Sequence, residues 1–329
     1  MDTALADLPV SPGGVEAPAR DPHRFAPVFL LATARSCSSV VTAMIGQHPQ
    51  LCGLPELKLF ASPTIGEMEA SLPRFWIERG VTHRSPGLVR ALAEYLFGRQ
   101  DAAGLTAARE WLAPRRDWPG EAVLDILLAE LRPRLAIEKS PENAASDEAL
   151  ARLAAAYPDA RYIHLTRDPV ATQRSMQAHW ARVMPGHPLE GQPMLGFAAW
   201  VDVNRRVLGF TERLPAGRVL RLRAEDILDG SPEGMRAVAS WLGLDGAPAA
   251  IEAMTHPEAS PFARPGPKES GIIGGYDPGF LEAPALRQLA PAPPLRRPQD
   301  WSDHDALWGM VEDLAERLGY GDSTAGRGR

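Results

Sequence analysis

Two segments carry residue types suited to gripping phosphates. In the first, Val28-Phe29-Leu30-Leu31 runs into Thr33-Ala34-Arg35-Ser36-Cys37-Ser38-Ser39 and then a helix-like stretch to Met44. In the second, Tyr162-Ile163-His164-Leu165-Thr166-Arg167-Asp168-Pro169 enters a helix, with Ser175 eight positions after Arg167. A strand ending in a cation and hydroxyl residues at a helix start directs unpaired backbone N–H groups, the positive end of the helix dipole and an arginine fork at one anion. Taken alone, either motif also reads as an ordinary capped helix start. Together, at separate strand ends, they imply a ligand with two separated phosphates.

The elements that must position them alternate short apolar runs with longer helical patterns, the mark of βαβ units and a parallel α/β sheet. Strands are expected at Val28–Ala32, Arg134–Ile137, Arg161–Thr166 and Arg218–Leu222. Helices are expected at 39–47, 87–98, 121–131, 147–157, 168–182, 195–214, 232–242 and 304–318. Within 168–182, Asp168 suits the N-cap and Pro169 the first helical position, which puts Ala171 and Ser175 on one face. Residues 1–24 and 321–329 read as flexible tails around one domain, 25–320. Two stretches rich in Pro and Gly, 184–193 and 257–298, break the rhythm as lids, binding loops or disordered excursions.

With 329 residues and 45% hydrophobic content, the chain has enough apolar material for a full core. A net charge of -6 argues against broad nucleic-acid or acidic-membrane surfaces, so any anion site is local. Two cysteines, Cys37 and Cys52, give no disulfide framework. No apolar run approaches the roughly 18 residues that span a bilayer, and the N-terminus lacks a secretory pattern. A cytoplasmic protein is expected, free of membrane and nucleic-acid partners.

A triphosphate P-loop reads G-x-x-x-x-G-K-[ST]. The turn here has no glycine, and its cation, Arg35, precedes the hydroxyls. The turn instead resembles the 5′-phosphosulfate loop of sulfotransferases that use 3′-phosphoadenosine 5′-phosphosulfate (PAPS), written Pro-Arg-Ser-Gly-Thr-Thr or Pro-Lys-Ser-Gly-Thr-Thr in that family. It stands here as Ala34-Arg35-Ser36-Cys37-Ser38-Ser39. Cys37 in the usual Gly slot means that the backbone there is reachable by a non-glycine residue, which weakens the case for a positive φ. In the same family an Arg at a strand end and a Ser eight residues on close around the 3′-phosphate, a spacing that Arg167 and Ser175 reproduce. The resemblance spans Phe29 to about Asp226. It implies a P-loop-like three-layer sandwich with a central parallel sheet flanked by helices, and a bacterial enzyme moving a sulfuryl group from PAPS to a hydroxyl acceptor, free or carrier-bound.

The same resemblance supplies catalytic roles. Lys139, in Ile137-Glu138-Lys139-Ser140-Pro141, stands where family members place a Lys on the leaving oxygen. Cytosolic members follow it with Thr-His, the His being their base, and Ser140-Pro141 stand here instead. Glu56, in Leu54-Pro55-Glu56-Leu57-Lys58, resembles the Glu of tyrosylprotein sulfotransferases and related bacterial enzymes that deprotonates the acceptor; the competing reading is a loop acid paired with Lys58. Arg35 completes the catalytic set. His164 reads as a packed strand residue and His179, one turn past Ser175, as a surface or cleft residue. Arg264 and Lys268 offer a loose match to a basic loop over the 3′-phosphate. Trp76, Trp180, Phe197 and Trp200, with Met184 and Met194, offer an apolar acceptor pocket. The eight histidines form no H-E-x-x-H or similar set, so no metal is expected. A nucleotide-dependent kinase with a degenerate loop and an inactive nucleotide-binding module are the alternatives.

Overall fold

Five parallel strands form a sheet in the order β2-β3-β1-β4-β5: β1 Val28–Ala32, β2 Leu51–Gly53, β3 Leu135–Glu138, β4 Arg161–Thr166 and β5 Val219–Arg223. The computed structural model describes residues 15–18, 26–78, 81–183, 192–229, 231–268, 274–289, 295–297 and 304–321. Most of the tails 1–24 and 321–329 and most of 184–193 lie outside these residues. Among the described residues no helix is long and apolar enough to cross a membrane.

Period-2 alternation divides the apolar strand residues between two cores. Phe29, Leu31, Ala136 and Tyr162 face one layer, packed by helices Pro86–Phe97, Gly120–Leu131 and Asp147–Ala156. Val28, Leu30, Ile137, Ile163 and Leu165 face the other, packed by helices Ser38–Ile45 and Pro232–Leu242. The result is the expected helix–sheet–helix sandwich. A third cluster joins helices Pro193–Thr211 and Asp305–Arg317 around Phe197, Trp200 and Trp308.

Four strands fall at or within one residue of their expected positions, and β3 extends to include Glu138. The strand missed from sequence is β2, three residues with Gly53 among them, too short to show a period. It exists through its pairing with β3, in the register Leu51 to Leu135, Cys52 to Ala136 and Gly53 to Ile137. The connection after β1 runs to one side of the sheet, toward β2, and the connection after its neighbour β4 runs to the other, toward β5. A crevice therefore opens at the carboxyl ends of these strands, the usual ligand position in open α/β sheets.

Candidate active site

The crevice is a cleft of about 640 Å³. Both phosphate-type segments, Glu56 and Lys139 reach it. Arg35, Cys37, Ser38, Ser39 and Arg167 line its wall with those two residues, while Ser36 and Ser175 do not, Ser175 being joined to the wall through Arg35. Several loops converge because each leaves a strand at the same sheet end: 33–37 after β1, 54–58 after β2, 139–140 after β3 and 167–168 after β4.

The turn after β1 overturns one expectation. Cys37, the N-cap of helix Ser38–Ile45, has φ 60° and ψ 18°, and Arg35 has φ 69°. The turn keeps the left-handed geometry that glycine favours although a cysteine occupies the slot. A non-glycine residue in that region costs roughly 1–2 kcal/mol, so the surrounding packing over-determines the turn. Cys37→Val, with a branched Cβ at positive φ, is expected to lose about 1–2 kcal/mol more stability than Cys37→Ala in urea unfolding.

The cations interlock. Arg167 donates from a terminal guanidinium nitrogen to the Arg35 carbonyl at 2.8 Å. The Nε of Arg35 donates to Ser175 Oγ at 3.3 Å, and a terminal nitrogen pairs with the Asp277 carboxylate. Burial, above all, pulls Arg35 below its ordinary value. Among the described residues, the buried Arg167 Nε and Ser36 Oγ have no hydrogen-bond partner. Such unsatisfied donors are what an anion-binding turn presents. As expected, Asp168 caps helix Pro169–Val183, its Oδ1 accepting the Ala171 N–H at 2.7 Å.

Lys139 is 2% exposed, and its ammonium donates to Ser39 Oγ at 3.0 Å and to Glu56 Oε1 at 2.5 Å. Lys58 instead pairs with Glu142 at 2.9 Å, so Glu56 is not the loop acid of the competing reading. The backbone around Glu56 is held tightly. Its N–H donates to the Gly275 carbonyl at 2.8 Å, and its carbonyl accepts the Ser85 hydroxyl at 2.8 Å. Gly87 closes on the same peptide, where a Cβ would lie 2.3 Å from the Glu56 carbonyl oxygen. The base candidate, the lysine and the hydroxyl turn thus form one continuous hydrogen-bonded set.

Asp277 was missed in the sequence. Besides Arg35, its N–H reaches Ser39 Oγ at 3.0 Å, and its Oδ1 caps the turn Pro278–Glu282 through the Gly279 N–H at 3.1 Å. Its signal was Asp-Pro-Gly-Phe after Gly274-Gly275, a cap signature inside the irregular 257–298 stretch. Arg264 and Lys268 are exposed and off the cleft wall.

His164 is fully buried, bonded through Nε2 to Asn204 Oδ1 at 2.9 Å and drawn down to about 4 by burial, as a packed residue should be. His179 lines the cleft, and its Nδ1 is buried without a partner among the described residues. Burial first, then Arg35 and Arg182, pulls it to about 4. Of the proposed acceptor aromatics, Trp76 lines the cleft beside Leu72, Val81 and Pro86. Phe197 and Trp200 belong to the third core cluster, with Met194 packed against it, and Trp180 is off the cleft wall. Helical spacing could not separate a pocket face from a core face. Met184 lies outside the described residues.

A family model described as the sulfotransferase family matches residues 27–248. In solved structures, the chain is similar to a sulfotransferase domain from the curacin biosynthetic pathway at 20% identity, covering 90% of this chain and 99% of that one, with a TM-score of 0.70. It is similar to the sulfotransferase domain of the Synechococcus PCC 7002 olefin synthase at 23% identity, covering 93% and 98%, with a TM-score of 0.67. At these identities the two structures bear on the fold. Comparison with curated proteins gives no match.

Proposed function

Since the chain belongs to the sulfotransferase family, with PAPS as sulfuryl donor, we propose that this cleft transfers the sulfuryl group in line to an acceptor hydroxyl, without a metal ion. The observation that carries the assignment of residues is the contact set Ser39–Lys139–Glu56, which joins the donor turn to a carboxylate through one buried ammonium. The unpartnered donors of Arg167 and Ser36 fit an anionic ligand. Arg35, Ser36, Cys37, Ser38 and Ser39 hold the 5′-phosphosulfate end; Arg167 and Ser175 hold the 3′-phosphate.

PAPS supplies an SO₃ group on a phosphate leaving group. Glu56 takes the acceptor proton as the new S–O bond forms and the bridging S–O bond breaks. Lys139 and Arg35 stabilise the charge gathering on the departing phosphate oxygen. The products are the sulfate ester, 3′-phosphoadenosine 5′-phosphate (PAP) and a proton on Glu56. Placement and fixed positive charge supply most of the catalysis, as in phosphoryl transfer.

The acceptor hydroxyl belongs to a small molecule or a carrier-bound chain whose apolar body lies against Leu72, Trp76, Val81 and Pro86. The free thiols of Cys37 and Cys52 suit a reducing cytoplasm.

Calorimetry with PAP in EDTA, with ATP and Mg²⁺ as the comparison, tests the reading. PAP is expected to bind at least tenfold more tightly than ATP. A preference for ATP would favour a kinase, and PAP binding without any sulfate transfer an inactive binding module. The Asp277 carboxylate holds the guanidinium that a donor anion needs, so Asp277→Asn is expected to tighten PAP binding about two- to fivefold, one modest ion-pair contribution. Weaker binding in that variant would mean that Asp277 orients Arg35 for the donor.

A further inference from the structure

Glu138, the last residue of β3, is 1% exposed and does not line the cleft. Its Oε1 accepts the Leu57 N–H at 3.3 Å and the Ser140 hydroxyl at 2.5 Å, and its Oε2 accepts from Asn143 Nδ2 at 2.6 Å. Ser140 Oγ in turn accepts the Lys58 N–H at 2.8 Å. Burial pushes the carboxyl up to about 7 against the pull of these donors.

A carboxylate buried so deeply is costly, and apolar packing often fills such a position with no loss of stability. What this one does that an apolar side chain cannot is reach across to another loop. Leu57 and Lys58 directly follow Glu56, and Lys139 directly follows Glu138. The same side chain therefore ties the peptide bearing the carboxylate to the strand end bearing the ammonium. Lys58 also sits at φ 59°, a left-handed conformation that a non-glycine residue keeps only when held, and its N–H bond to Ser140 is such a hold.

We propose that Glu138 is a positioning residue for sulfuryl transfer: directly and through Ser140, it fixes the Leu57–Lys58 backbone and with it the placement of Glu56 against Lys139. The inference rests on the reading of Glu56 as base and Lys139 as the cation at the leaving oxygen. It requires hydrogen bonding and no negative charge. Asn143 Oδ1 is buried with no partner among the described residues, so a flipped Asn143 amide would accept from a glutamine at 138 while that glutamine's oxygen receives Leu57 and Ser140.

The test uses the full chain, with PAPS as donor and water as acceptor read by sulfate release, and PAP affinity by calorimetry. Glu138→Ala is expected to slow release at least tenfold with PAP affinity within threefold of the parent. Glu138→Gln is expected to restore the rate to within threefold. Should Glu138→Ala fail to fold by thermal melting, Ser140→Ala, which frees only the Lys58 N–H and one partner of Glu138, is expected to slow release threefold or more at unchanged PAP affinity. An undiminished rate in the alanine variants, an equal loss of PAP affinity, or a glutamine variant as slow as Glu138→Ala would overturn the proposal. A parent that binds no PAP would instead overturn the donor reading beneath it.

Discussion

Glu56→Gln is expected to slow sulfuryl transfer about 10²- to 10⁴-fold, the usual contribution of a positioned general base, with PAP affinity within about threefold. Glutamine is the informative replacement because its carbonyl can still accept from Lys139 Nζ, now 2.5 Å from Glu56 Oε1. Alanine would leave a nearly fully buried ammonium with neither counter-charge nor an acceptor in its place, a loss of about 3–5 kcal/mol that confuses folding with chemistry. The glutamine variant removes the proton acceptor and the negative charge but keeps a hydrogen-bond acceptor and the side-chain volume beside the ammonium. The rival is His179, which shares the cleft and has an unpartnered Nδ1 among the described residues. Its imidazole is drawn down to about 4 by burial first and then by Arg35 and Arg182, which makes it no stronger a base than an ordinary carboxylate. It also makes no hydrogen bond to the Ser39–Lys139 set, whereas Glu56 is part of it. Transfer that survives in Glu56→Gln and collapses in His179→Asn would move the base to the helix that carries Ser175.

Donor-type residues were legible because each sits within a few positions of a strand end, where local spacing dictates geometry. Arg35 follows β1 by three residues and Arg167 follows β4 directly, so a parallel sheet was enough to bring them together. The left-handed turn at Cys37 was not legible, since cysteine is a poor indicator of positive φ and only the close-packed surroundings impose it. Asp277 was hidden for another reason. It lies 242 residues from Arg35 in a stretch without periodicity, and nothing local announces a contact of that range. Glu138 was passed over because, in sequence, it is simply the residue before the lysine. Its partners Leu57 and Ser140 become neighbours only when β2 adds to the edge of β3, and β2 is the strand that was too short to see.

Arg167→Ala is expected to weaken PAP binding about 10- to 100-fold, the loss of one or more charge-assisted hydrogen bonds at about 1.5–3 kcal/mol each. Two effects add in that number. The guanidinium belongs to a residue that lines the cleft, and its buried Nε has no partner among the described residues, a donor left over for a 3′-phosphate. It also donates to the Arg35 carbonyl at 2.8 Å, so its removal loosens the left-handed turn at the other phosphate position. Arg167→Lys separates the two: it keeps a positive charge but cannot reproduce the fork, and an intermediate loss assigns the remainder to geometry. Ser175→Ala, which removes one neutral hydroxyl held by Arg35 Nε at 3.3 Å, is expected to cost only about three- to tenfold. Affinity should also fall with added salt, and less steeply in Arg167→Ala, because one fewer charge meets the ligand. PAP affinity equal in Arg167→Ala and the parent would remove the 3′-phosphate from this strand end and leave Arg167 as a brace for the turn at Arg35.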